Sequence, residues 1–88
     1  MQIELTRKFQ KQMDSCQDQT ISNRVIHVID EVIAAETINQ IHNLKKLTGF
    51  RNIYRIRMGS YRLGLVIENG TVTFAALDHR SSIYKYFP

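Results

Sequence analysis

The chain has one cysteine, one proline and no tryptophan in 88 residues. With Cys16 alone there is no intrachain disulfide framework, which agrees with a reducing cytoplasm. No apolar run approaches the roughly 20 residues of a membrane span, so no membrane partner is expected. Charge interrupts the opening MQIELTRKFQ before an apolar region develops, which argues against a signal peptide. The three histidines and single cysteine lack zinc-type spacing. There is no Gly-rich phosphate loop, no G-x-S-x-G elbow and no carboxylate pair beside the basic residues. Neither a metal nor a cofactor is therefore expected. Without repeats, low-complexity segments or a linker, residues 1–88 read as one domain with a single two-layer core.

What is there centres on Tyr54 to Tyr84. Gly59-Ser60 and Asn69-Gly70 separate three apolar runs, and these dipeptides suit two-residue II′ and I′ hairpin loops. With the turns fixed, register follows. Met58 is expected opposite Tyr61, Arg57 opposite Arg62, Ile56 opposite Leu63 and Arg55 opposite Gly64. In the second hairpin Ile67 pairs with Val72, Leu65 with Phe74 and Leu63 with Ala76. One face then carries Tyr54, Ile56, Leu63, Leu65, Ile67, Val72, Phe74 and Ala76, an apolar surface that must be covered. The other carries Arg55, Arg57, Arg62, Gly64, Val66, Thr73, Ala75, Leu77 and His79. Strict alternation puts Arg80 on the apolar side, unless the strand ends or twists by Asp78.

Upstream, Met1, Ile3 and Leu5 alternate with polar residues as a short first strand. Thr6 is placed to cap a helix bearing Phe9, Met13 and Cys16 on one stripe. A second helix starts near Asp18 or Thr20, with Ile21, Val25, Val28, Ile29 and Val32 on one face. Cys16 reads as a small core hydrophobe, and His27 as a helix-edge histidine with a local hydrogen bond. Thr37 to Gly49 is either a last helical turn or an extended segment along the sheet edge. The expected fold is α+β: a short N-terminal strand, two amphipathic helices, then a three-stranded antiparallel meander with both helices on one face.

Charge is unevenly spread. Residues 1–44 hold four Lys/Arg against six Asp/Glu, and residues 45–88 hold eight against two. Like charges opposite each other on a sheet face are destabilising, so Arg57 facing Arg62 lacks a folding rationale. An anionic partner such as nucleic acid supplies one. Lys45 and Lys46 are ordinary solvated charges or the upstream edge of this basic face. The ending HRSSIYKYFP interleaves Arg80 and Lys85 with Tyr84, Tyr86 and Phe87, which suits base stacking plus phosphate contact. The plainer reading is that Ile83, Tyr84 and Phe87 cap the core edge.

The tandem of YRIRMGSYRL and a closing HRSSIY resembles the RelE/ParE superfamily of toxin–antitoxin toxins, its RelE-like mRNA interferase branch in particular. The resemblance covers nearly the whole chain. It implies a cytoplasmic endoribonuclease that cuts mRNA in the ribosomal A site and is neutralised by a cognate antitoxin. By motif position it carries cleavage roles onto Arg55, Arg57, Arg62, Arg80 and Tyr84. The chain departs from that pattern in having arginines where the best-known members have lysines, and His79 directly before Arg80. Arginine is a poor proton acceptor, its pKa lying above about 12, so the four arginines are expected to bind and stabilise charge. His79 is a candidate base or acid by its near-neutral unperturbed pKa. Tyr84 is the other candidate. Two rival readings stand beside this one: a ParE-like gyrase poison, and a non-catalytic basic module holding RNA or a protein.

Overall fold

A computed structural model describes residues 1–88. The elements run β1 (Gln2–Leu5), α1 (Arg7–Ser15), α2 (Gln19–Ala34), β2 (Leu44–Lys46), β3 (Ile53–Met58), β4 (Tyr61–Glu68) and β5 (Thr71–His79). They form one five-stranded sheet in the order β1-β5-β4-β3-β2. β1 lies parallel to β5, and the other pairs are antiparallel. The α+β expectation holds, with one strand more than the sequence reading gave.

Both helices begin where their caps dictate. The Thr6 hydroxyl accepts the Phe9 N–H at 3.0 Å, and the Asp18 carboxylate accepts the Ile21 N–H at 3.2 Å. The stripe from α2 buries Ile21, Val25 and Val32, and α1 adds Phe9. They close on Ile56, Met58, Leu63, Leu65, Ile67, Val72 and Phe74 from one sheet face. Phe9 and Phe74 meet with ring centroids 5.5 Å apart. Cys16 is half-buried against this core.

The turns behave as their residues require. Asn69 and Gly70 both have positive φ, at 53° and 75°, as a type I′ turn needs, and Gly59 alone does so in the other hairpin, at 61°. Thr37 to Gly49 divides between the two alternatives: a 3₁₀ turn at Ile38–Gln40, then β2 extended along β3.

Register follows expectation through Leu65↔Phe74 and then departs. Gly64 faces Ala76, Leu63 faces Leu77, Arg62 faces Asp78 and Tyr61 faces His79. Ala75 is an extra residue, a β-bulge, and it inverts which side chains of β5 face the helices. Leu77 therefore joins the main core, while Ala76 lies on the opposite face. The bulge is tied down by Thr6, whose hydroxyl donates to the Ala75 carbonyl at 3.0 Å.

The face away from the helices is not bare. After β5 the chain makes a 3₁₀ turn at Ile83–Lys85 and folds back over it. Ile83 and Phe87 are buried there with Ala76, against Leu47, Ile53, Val66 and Ala75. Gly64 makes this possible: a Cβ at that position would stand 2.5 Å from the Phe87 ring. Gly64→Ala should cost about 1–3 kcal/mol by overpacking, or release the tail. Melting curves and protease cutting after Ile83 distinguish the two.

Candidate cation-lined site

The strand ladder sets the site. β2 puts Lys45 opposite Arg55, and the β3–β4 hairpin puts Arg57 opposite Arg62. All four share the face away from the helices, in two like-charged cross-strand pairs. Lys45, Arg55 and Arg57 line a shallow depression of about 630 Å³ together with Asn43 and Leu44. Arg57 is exposed, Arg55 half-buried and Arg62 buried, at 9% exposure. The burial of Arg62 has a cause: its Nη1 donates to the carbonyl oxygens of Gly59 at 2.8 Å and Tyr61 at 2.9 Å. Folding the guanidinium onto the turn relieves its opposition to Arg57 and holds the group in one geometry.

The bulge redistributes the remaining candidates. His79, expected beside the arginines, falls opposite Tyr61 on the helix-facing side, where the two rings meet edge-on with centroids 6.0 Å apart. Its Nδ1 is engaged by the Ser81 hydroxyl at 2.7 Å and the Ser81 N–H at 3.2 Å, which leaves Nε2 free. The same inversion removes the obstacle to Arg80. Alternation past the bulge now assigns Arg80 to the arginine side, and its N–H continues the ladder to the Ser60 carbonyl at 2.8 Å. Lys46 faces the other way, opposite Tyr54, and lines a separate depression with Ile38 and Ile41. Tyr84 and Lys85 stand exposed on the tail turn. The basic set is thus Lys45, Arg55, Arg57 and Arg62, with Arg80 at its end and Lys46 excluded.

Three residues at the rim escaped the sequence reading. Asp78 sits opposite Arg62 and accepts the Tyr86 hydroxyl at 2.8 Å. Gln12 from α1 donates to the same hydroxyl at 2.7 Å and accepts the Leu77 N–H at 2.8 Å, covering the β5 edge where β1 has ended. The Lys8 ammonium lies 4.0 Å from the centroid of the Tyr86 ring. Partial burial of the phenol, together with the hydrogen bond that it donates to Asp78, pushes Tyr86 up to about 12. Folding thus favours the protonated phenol, so this tether contributes fully below about pH 10 and is lost as pH rises through about 12. The one available signal was Asp78 itself, the sole acidic residue after Glu68.

No family model matches the chain. A curated relative, Toxin RelE3 of Methanocaldococcus jannaschii, is 39% identical over 69 residues, covering 77% of this chain and 78% of that one. Among solved structures, the RelB–RelE antitoxin–toxin complex from Methanococcus jannaschii matches with a TM-score of 0.81 at 33% identity, over 97% of this chain and 99% of its counterpart. The archaeal RelE–RelB complex of Pyrococcus horikoshii OT3 matches at a TM-score of 0.71 and 18% identity, over 92% and 96% of the two chains. The isolated E. coli RelE toxin matches at 0.67 and 15%, over 96% and 90%. The last two share the fold. Identity with the first relative across three quarters of both chains, on this fold, establishes more: the chain belongs to the RelE family of toxin–antitoxin toxins.

Proposed function

We propose that this toxin is a metal-independent endoribonuclease that acts in the cytoplasm, cutting mRNA in the ribosomal A site and so stopping translation. The observation that carries the reading is the gathering of cations on one sheet face, with Lys45 opposite Arg55 and Arg57 opposite Arg62. Like charges gathered this way repel, even with the Arg62 guanidinium drawn onto the turn. A phosphodiester backbone lying across them turns that repulsion into binding, and arginine forks fit phosphate oxygens in bidentate fashion.

Cleavage by internal transesterification needs three things. The 2′-OH must lose its proton, the pentavalent phosphate must be stabilised, and the 5′-oxygen must gain a proton. Arg55, Arg57, Arg62 and Arg80 serve the second requirement, with Lys45 and Lys85 holding flanking phosphates. Lys46, on the other face, is left out of this set. Tyr84, exposed on the tail turn, and His79, through its free Nε2, are the candidates for proton transfer. His79→Ala should lower the cleavage rate by roughly 10²–10⁴ if that ring moves a proton. A rate left almost unchanged assigns the step to Tyr84.

The Methanococcus jannaschii and Pyrococcus horikoshii neighbours are antitoxin–toxin complexes, which supports a cognate antitoxin as partner. An antitoxin segment with acidic residues matches the charge of the Lys45–Arg55–Arg57 depression. The test is primer extension on an mRNA held on programmed ribosomes, with free RNA alongside. Cuts at A-site codons only on the ribosome support the reading. Cuts on free RNA as well keep the nuclease and discard ribosome dependence. No cuts by the folded protein leave a gyrase poison or a silent binder.

A further inference from the structure

Asp78 is a carboxylate on the cationic face that the cations have not neutralised. Register sets it directly opposite Arg62, yet the side-chain ion pair in this structure is His42–Glu31, on another part of the surface. The two oxygens of Asp78 are oriented by uncharged donors instead. Oδ1 accepts the His79 N–H at 2.8 Å, and Oδ2 accepts the Tyr86 hydroxyl at 2.8 Å. An ionised carboxylate oxygen can accept about two hydrogen bonds, so each retains capacity to accept a proton.

The groups that face it are fixed in charge. Arg62 from β4 and Arg80 along the chain are permanent cations. Tyr86 from the tail, itself held by Gln12 and covered by Lys8 from α1, stays a protonated donor at working pH. A tether for Tyr86 requires only an acceptor, and an amide would serve. A negative charge on a surface that must hold phosphate works against that task, so the carboxylate calls for a role of its own. Arginine cannot fill the base role, and the bulge has turned His79 to the other side.

Resting on the ribonuclease reading above, we propose that Asp78 is the general base of cleavage and Tyr86 the positioning residue that aims it. The proton of the 2′-OH passes to Asp78 as O2′ forms its bond to phosphorus. The P–O5′ bond breaks, its electron pair leaving on O5′, which takes a proton from Tyr84, and Tyr84 regains one from water. The products are a 2′,3′-cyclic phosphate and a 5′-hydroxyl, and Asp78 returns its proton to water.

The experiment is single-turnover cleavage on programmed ribosomes across a pH series, with the unmodified chain, Asp78→Asn, Asp78→Glu and Tyr86→Phe. Asparagine keeps an acceptor for Tyr86 but cannot take the proton. It should lower the rate constant by about 10²–10⁴, leave half-saturation unchanged or lower, and flatten the acidic rise of the profile. Asp78→Glu should recover part of the rate. Tyr86→Phe should keep the acidic rise but lower the rate constant by about 10–10²-fold, because Asp78 loses the hydroxyl that aims its Oδ2. A folded Asp78→Asn within about threefold of the unmodified rate overturns the proposal and leaves Asp78 a tether. If Asp78→Asn does not fold, a Tyr86→Phe profile superimposable on the unmodified one overturns it equally. The two readings fail differently: no cut by the unmodified folded chain removes the ribonuclease and any base with it. A cutting chain with an equally active Asp78→Asn removes the base alone.

Discussion

Replacing Arg62 with alanine should lower cleavage on programmed ribosomes by about 10²–10³, the usual loss when one preorganised charge-stabilising group is removed. Its position argues for the upper part of that range. The guanidinium is buried, and two of its roughly five N–H donors are fixed on the Gly59 and Tyr61 carbonyls. The remaining donors are therefore held in place before any phosphate arrives. The same two bonds mean that the substitution cannot be silent in the fold. Their loss should also reduce stability by about 1–3 kcal/mol, and the β3–β4 turn is where it will loosen. Arg62→Lys separates the effects, keeping the charge and losing the fork. It should remain at least about tenfold below the unmodified rate while melting closer to it. Circular dichroism with temperature reads stability, and primer extension reads rate. A folded Arg62→Ala that cuts at full rate would contradict the role.

The largest effect on stability is expected at Phe74. It is fully buried on β5, which is paired on both sides, and the Phe9 ring lies against it. Phe74→Ala removes the transferred area, leaves a cavity and strands Phe9, which together should cost about 3–5 kcal/mol. For a domain of this size the melting temperature should fall by on the order of 12 °C or more. Against total stabilities of about 5–15 kcal/mol, much of the population would be unfolded on mild warming. Urea titration gives the number directly. A loss under about 1.5 kcal/mol would mean that α1 can settle into the vacated space.

Much of the fold was legible because local rules and the global pattern agree. Gly59-Ser60 and Asn69-Gly70 determine two turns, and the turns determine register as far as Leu65↔Phe74. Thr6 and Asp18 mark the helix starts, and the apolar stripes meet the face left uncovered. The arginine row on β3 and β4 followed from the same register. What failed failed at one residue. Nothing in the run Thr73 to Leu77 announces that Ala75 is an inserted residue, since small apolar side chains suit either face. That single shift exchanged Ala76 with Leu77, moved His79 behind the sheet, set Asp78 opposite Arg62 and assigned Arg80 to the cationic side. A hint lay across the ladder: an isolated glycine inside a strand, Gly64, marks a bulge or a close approach, and here it accompanies both. The fold-back of Ile83 and Phe87 was harder to read, because a short aromatic tail can cap a core edge as readily as cross a sheet. Lys45 and Lys46 show why a charge run is not a site. Extension in β2 sends adjacent lysines to opposite faces, so one enters the cationic depression and the other cannot.

The parallel pairing of β1 with β5 has a consequence in time. Gln2 to Leu5 find their partners only at Thr71 to Phe74. During synthesis the first segment to emerge must wait for one of the last. At about 5–20 residues per second, that wait lasts several seconds. Until β5 is out, neither sheet edge nor helix layer can close around Phe74, and Arg62 has no neighbouring strand on its far side. Long-range pairing of this kind slows folding and ties all elements into one cooperative step. A chain cut short before Thr71 therefore carries Arg55, Arg57 and Arg62 without the strand that flanks β4, and lacks Arg80 and Asp78. Within a single molecule, toxicity is the last thing to be made.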